Sequence, residues 1–385
     1  GTRLKLPKIK GAEFTSAEKV IVDSLFGRYL SVRFHEIDDQ DAGMSGDRVL
    51  RAHTELSRKG EKENSCLLKI GAKYRLAVER EKMAAYVQNR LHPRYHPQVL
   101  GFASGRTDAG MRLSWASGDD EELFSLRRIF TDAEYSCERL EYEINRLMTD
   151  VLKGWYIDNV HMRQIEIYKL LKKYADKLVG VTLADGTVLD RTVPELEFPE
   201  INRCIRNPIL VMDELVKSRG KESVKVPVGL HHGDLNSRNV LLDSGGHICL
   251  IDFYKSGRGV IFQDAARLEV DLRYEALNTM EKFHRSEYLI ELTWMDSFLV
   301  ASSFKNIEKV DVRRSMEKRL RSALQLRKVM SSMYNMPEKV FAPIYKCSLL
   351  SALIRLLGYG YLKDELVKLA LVEISDLSER LLAEG

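Results

Sequence analysis

The chain has 385 residues and carries 60 Lys+Arg against 56 Asp+Glu, a formal net charge of +4 that gives no bulk support for nucleic-acid binding. At 44% hydrophobic and 30% charged it has the composition of a globular protein, and its length exceeds what one core usually holds, which predicts two lobes. Five scattered cysteines (Cys66, Cys137, Cys204, Cys249 and Cys347), odd in number and without a CxxC pair, argue against a disulfide framework or a structural zinc site.

In chain order, Thr15-Ser16-Ala17-Glu18 fits a capping box and predicts a short helix through AEKVIVDSLFGRYL. YLSVRFHEI (29–37) and DRVLRAHTEL (47–56) alternate apolar and polar residues at the strand period. Between them lies DDQDAGMSGD, acidic and rich in glycine. SCLLKIG (65–71) reads as a third strand, YRLAVEREKMAAYVQNRL (74–91) as a helix closed by the prolines of HPRYHPQVL, and two short strands follow near 98–104 and 110–115. Those prolines forbid the helix that would align His92 and His96 as metal ligands, so the segment is expected to be a loop. The result is a small antiparallel sheet with one helix on it.

ASGDDEEL (116–123) is the best boundary. Helices are expected beyond it at 121–131, 133–153, 158–178 and about 200–219, with 179–199 a hairpin or covering loop. Strands are expected at about 239–243 and 247–252 around Ser244-Gly245-Gly246, and long helices fill 263–385. The basic stretch RRSMEKRLRSALQLRK (313–328) is expected to be a solvated helix face. Glu291, Asp296 and Arg355 interrupt the most apolar C-terminal windows, so no membrane span is expected. The opening Gly-Thr-Arg-Leu reads as a piece of something longer, and a cytoplasmic location is the expectation.

The stretch HHGDLNSRNVLLDSGGHICLIDF (His231–Phe253) concentrates polar groups between apolar runs. His232, Asp234 and Asn239 stand as H-x-D-x-x-x-x-N, and Asp252 ends an apolar strand thirteen residues on. A carboxamide and a carboxylate converging at a strand end are oxygen donors, which suit Mg²⁺. Asp234, on an irregular loop, can orient or deprotonate an attacking hydroxyl. Asp and Asn are also ordinary turn formers, but four specified residues at fixed spacing arise by chance in roughly one chain in several hundred. Phosphoryl transfer, which needs positioning and charge neutralisation more than covalent chemistry, fits the set.

These residues resemble the catalytic loop and metal-binding segment of the aminoglycoside phosphotransferase and choline kinase superfamily, relatives of the protein kinases. The resemblance implies that Asp234 is the catalytic base, that Asn239 and Asp252 bind magnesium, and that His232 orders the loop. His231 and Asp243 have no such match. The same resemblance asks for a strand lysine for the nucleotide phosphates, met by Lys69, and for a helix glutamate to hold it. Spacing does not decide between Glu81 and Glu79; the likeness of VEREKM to the matching helix of antibiotic kinases favours Glu81. Gly43, Ser45 and Gly46 in AGMSGDRV stand where kinases cover the phosphates with a glycine loop, although G-x-G-x-x-G is absent and the segment alone is a hairpin signal. Asp264 stands where the superfamily has an Asp bracing the catalytic loop, an N-terminal helix carboxylate being the competing view; Arg267 and Glu269 are expected to form ion pairs without chemistry.

The implied fold is α+β and two-lobed, protein-kinase-like. A small antiparallel-sheet lobe (1–117) and a mostly helical lobe (118–385) would have ATP between them. The implied activity is ATP- and Mg²⁺-dependent transfer of the γ-phosphate to a hydroxyl of a small molecule. Residues 271–385 hold 18 Lys+Arg against 16 Asp+Glu, so no acidic field for a cationic acceptor is expected. Asn236 stands two residues past Asp234, where protein kinases carry a lysine, and no A-P-E segment follows Asp252, so a protein acceptor is not favoured. The alternative is a kinase-like module that binds nucleotide, or a protein partner, as an interaction or sensor domain. Nucleotidyl transfer is a third reading, and neither a membrane nor a nucleic acid is expected as partner.

Overall fold

The computed structural model describes residues 8–36, 47–55, 65–115, 123–199, 202–276 and 310–384, of which 310–315 as backbone only. Contacts divide the chain into two compact units, residues 1–128 with 232–257, and residues 129–231 with 258–385. The α+β class expected from the sequence is the one adopted, a sheet-rich unit and a helical one. The stretch 232–257, which the sequence reading puts in the helical lobe, belongs to the sheet-rich unit.

The sheet of the first unit has the order β1-β2-β3-β4-β6-β5, built from β1 (Lys8–Lys10), β2 (Ser31–Glu36), β3 (Arg48–Glu55), β4 (Cys66–Ala72), β5 (Val99–Ser104) and β6 (Asp108–Ser114). The pairs are antiparallel except β1 with β2, where Ile9 stands opposite Val32. β1 escaped the sequence reading because three residues give too little pattern to see. β4 sits in the interior of the sheet, with Cys66 to Ile70 all buried, as a strand covered on both faces should be. Lys69, inside that run, is opposite Val49 on β3 and Met111 on β6.

Helix α1 (Ser16–Phe26) opens with the expected capping box: Glu18 N donates to Thr15 Oγ1 at 3.2 Å, and Thr15 N donates to Glu18 Oε2 at 2.8 Å. Its buried residues Ile21, Val22 and Phe26 face the sheet. Close approach there depends on Gly110 of β6, where a Cβ would lie 2.4 Å from Ile21 Cγ2. Helix α2 (Lys73–Lys82) follows β4 with no connecting loop and runs on into a wider turn, Met83–Val87. Leu76, Glu79, Met83 and Val87 are its buried positions, so one helical stripe faces inward. The segment at 92–98 is the expected loop, with a short turn at Pro93–Tyr95. Strands Val240–Leu242 and Ile248–Leu250 pair antiparallel around the expected glycine turn, with Phe124–Ser125 at the edge.

The second unit departs from expectation in several places. A helix over 158–178 is expected, but His161–Ile165 is a strand and only Ile167–Leu170 and Lys172–Leu178 are helical. The strand exists because Val224–His231, unforeseen as a strand, pairs with it antiparallel. The helix expected from 200 begins at Pro208, because Arg203–Arg206 closes a hairpin with Glu195–Phe198. The basic helix, within Val310–Met333, is not a solvated face: Lys318, Arg319 and Arg327 are buried, and Arg321 pairs with Glu138, Glu141 and Glu317. Helix Glu338–Leu357 is long and apolar enough to cross a membrane, contrary to the sequence reading, but 83% of its apolar window is buried inside the protein, as in a core helix.

Candidate active site

The polar cluster gathers in the sheet-rich unit. Directly after Ile248–Leu250 the backbone reaches Asp252 at φ 61°, ψ 70°, a left-handed conformation that a non-glycine residue adopts only where its surroundings hold it. Those surroundings are visible. His232 is fully buried, its Nε2 donates to the carbonyl of Ile251 at 2.9 Å, and its ring packs 5.1 Å from that of Phe253. Ile251 N donates to the carbonyl of Asn239 at 3.1 Å. His232 thus ties the loop to the segment that presents Asp252. Gly233 has φ +79°, and a Cβ there would lie 2.3 Å from the carbonyl of Lys255, so only glycine lets the loop pass.

The loop from Asp234 to Asn239 is tied by its own amides. Asn236 Oδ1 accepts from Arg238 N and Asn239 N at 3.0 and 3.2 Å, and Asn239 Nδ2 donates to the carbonyl of Asp234 at 2.9 Å. Asn239 therefore spends its amide nitrogen on the loop, which leaves its carbonyl oxygen as the end that suits a cation. Asp243 falls to the turn, its Oδ1 accepting from His247 N.

Lys69 is buried, and its ammonium lies 2.7 Å from Glu79 Oε2, 3.4 Å from Asp47 Oδ2 and 3.5 Å from Asp252 Oδ1. Burial alone would lower the lysine's pKa, but Glu79, Asp252 and Asp47 together outweigh it and hold the value above normal. Burial pushes the Glu79 carboxyl up, with Lys69 pulling the other way. The preference for Glu81 is thereby corrected. Glu79 lies three residues from Leu76 and four from Met83 on the inward stripe, whereas Glu81 is exposed on the other side of α2. The apolar spacing of Leu76, Met83 and Val87 carried that information.

Two residues were missed. Asp47 joins Lys69 and also meets Arg75 Nε at 3.3 Å. Lys255 donates to Asp234 Oδ2 at 2.7 Å, an ion pair in which the lysine is partly exposed and the carboxylate mostly buried. Gly43, Ser45 and Gly46 lie outside the described residues. Asp264, in the helical unit, is buried and accepts from Tyr156 Oη at 2.8 Å; Arg267 pairs with Glu275, and Glu269 with Arg273 and Arg327.

A divalent cation fits the donors present. Asp252 Oδ1 is buried and makes no hydrogen bond among the described residues; its ion pair with the Lys69 ammonium is long, at 3.5 Å, and a closer cation would stabilise it further. Among the described residues no group of three His, Cys, Asp or Glu gathers as an all-protein metal cage. One carboxylate and one carboxamide suit Mg²⁺, which keeps waters and substrate phosphates as its other ligands.

A family model described as "Ternary complex associated domain 9" matches residues 202–358, a span that includes Asp234, Asn239, Asp252 and Lys255 but neither Lys69 nor Glu79. No curated protein matches the sequence. Among solved structures, the chain is similar to a thermostable mutant of the aminoglycoside phosphotransferase APH(4)-Ia, in ternary complex with ADP and hygromycin B. The identity is 11%, over 96% of this chain and 99% of that one, with a TM-score of 0.49. The ethanolamine kinase of Plasmodium vivax is 12% identical over 96% of this chain and 86% of its own, at a TM-score of 0.44. Aminoglycoside phosphotransferase APH(3'')-Id from Streptomyces rimosus is 16% identical over 80% and 98%, at 0.37. These solved structures are two aminoglycoside phosphotransferases and an ethanolamine kinase. At TM-scores below 0.5 the likeness adds no argument about chemistry, which rests on the residues themselves.

Proposed function

We propose that the chain is an ATP- and Mg²⁺-dependent phosphotransferase acting on a hydroxyl of a small molecule. The observation that carries this reading is the buried Lys69–Glu79 pair beside Asp252, whose inner oxygen lacks a hydrogen-bond donor. A lysine held by a glutamate is a fixed point charge for phosphate oxygens. Magnesium, held by Asp252 and the Asn239 carbonyl oxygen, would neutralise charge on the phosphates. Asp234 orients the acceptor hydroxyl and takes its proton as the hydroxyl oxygen forms a bond to the γ-phosphorus. The bond from that phosphorus to the β,γ-bridging oxygen breaks, and ADP leaves with the electron pair. Lys255 holds the Asp234 carboxylate in position and supplies a further positive charge near the transferring group.

Millimolar ATP with Mg²⁺ should raise the melting temperature, since a ligand at 100 times its Kd stabilises by about 2.7 kcal/mol. In Asp252→Ala the Mg²⁺-dependent part of that shift should vanish while the unliganded protein still melts cooperatively. No shift in the wild type at millimolar nucleotide and metal would sink the enzyme reading. A shift without turnover across a panel of hydroxyl compounds would favour the interaction-module reading instead.

A further inference from the structure

Lys69 is crowded by a carboxylate that its pairing with Glu79 does not call for. Asp47, the residue before β3, lies 3.4 Å from the ammonium, as close as Asp252 at 3.5 Å, and its side chain is only 3% exposed. Gly71 makes the room. A Cβ at that position would lie 2.1 Å from Asp47 Oδ1 and 2.8 Å from its Cγ, so the carboxylate occupies the space a side chain would fill. Arg75 holds the same carboxylate oxygen from α2, and Arg75 is itself fixed by stacking 5.1 Å over the ring of Tyr254. Among the described residues the immediate cluster thus contains three carboxylates, Glu79, Asp47 and Asp252, against two cations, Lys69 and Arg75. A triphosphate, itself an anion, gains little from a lysine shared in this way.

We propose that Asp47 is a built-in competitor for the nucleotide phosphates: its carboxylate holds the place on Lys69 that a phosphate oxygen takes, and nucleotide binds only by displacing it. This rests on the reading of the Lys69 cluster as a nucleotide site. Arg75 is the partner that keeps Asp47 when Lys69 is given up. The arrangement sets a threshold concentration of nucleotide below which the site stays closed by its own side chain. It also ties affinity to magnesium, because an accompanying divalent cation offsets the excess negative charge.

The test is calorimetric titration of ATP, with and without Mg²⁺, into wild type, Asp47→Asn, Gly71→Ala and Lys69→Met. Asp47→Asn removes the competing charge, whereas Gly71→Ala keeps the charge and denies it the space. Each should bind ATP about tenfold more tightly, equivalent to ~1.4 kcal/mol, with the larger gain in the absence of metal. Lys69→Met should lose binding. Unchanged or weaker binding by a folded Asp47→Asn, with wild-type binding intact, overturns the competitor role and leaves the nucleotide site standing. Should the Asn variant not fold, Gly71→Ala decides by the same criterion. No ATP binding by wild type or either variant overturns both the competitor and the nucleotide site.

Discussion

At Lys69 three carboxylates lie within 3.5 Å, but only Glu79 is close enough for a full charge-assisted hydrogen bond. Glu79→Gln should therefore weaken ATP binding by about tenfold or more, since hydrogen bonds to charged groups contribute roughly 1.5–3 kcal/mol. Glu81→Gln, on the exposed side of α2, should leave affinity unchanged, and titration of the two variants side by side checks the assignment. At this scale the sequence was legible wherever the loop is local. Asp234, Asn239 and His232 lie within a few residues of one another, and Asn239 ties back to the carbonyl of Asp234 five residues away. Lys255 and Asp47 were not legible, because the contacts that matter, Lys255 with Asp234 and Asp47 with Lys69, join residues about twenty apart in the chain.

Elements whose signals are local came out as expected. The capping box at Thr15 starts α1, and the glycine turn after Asp243 closes its hairpin. Elements that depend on a distant partner did not. HMRQI is a strand because VKVPVGLH pairs with it, and no local pattern in HMRQI says so. The basic helix turned inward because its counter-charges, Glu138, Glu141 and Glu269, lie far away in sequence. The seat of α1 on β6 gives an element-scale prediction. Gly110→Ala would push a methyl into Ile21 and should cost about 1–3 kcal/mol as overpacking does, read as a lower urea midpoint with unchanged m-value. The loop after α2 gives another. Burial holds His96 below its ordinary pKa, with Nδ1 donating to the carbonyl of Pro97 at 3.1 Å. The folded state then binds fewer protons than the unfolded one between the depressed value and about 6.5, so stability falls as pH drops through that window. Urea midpoints at pH 7.5 and 5.5 should differ more in wild type than in His96→Gln.

Among the described residues, two buried charge clusters have different consequences. In the helical unit, Glu373 accepts two hydrogen bonds from Arg273, at 2.7 and 3.1 Å, and one from Tyr274 Oη, while Arg273 and Arg327 share Glu269. Burial would raise the Glu373 pKa, but Arg273 overrides it and holds the value low, so its contribution to stability is present at neutral pH and lost on acidification. Glu373→Ala would leave Arg273 and Arg327 to share Glu269 alone, an excess of buried positive charge, and should cost about 3–5 kcal/mol in denaturant unfolding. In the sheet-rich unit the corresponding cluster is unbalanced. Lys69 faces three carboxylates, and Asp252 Oδ1 makes no hydrogen bond among the described residues, the features on which the proposed cation and phosphate site rests. The measurement that bears on this most directly uses γ-labelled ATP with Mg²⁺ and a panel of hydroxyl-bearing small molecules, wild type beside Asp234→Asn. Label should leave ATP for an acceptor in the wild type, and the variant should bind ATP normally while transferring about 10²–10⁴ times more slowly. Label that stays on ATP although the wild type binds it, or transfer undiminished in Asp234→Asn, would contradict the account.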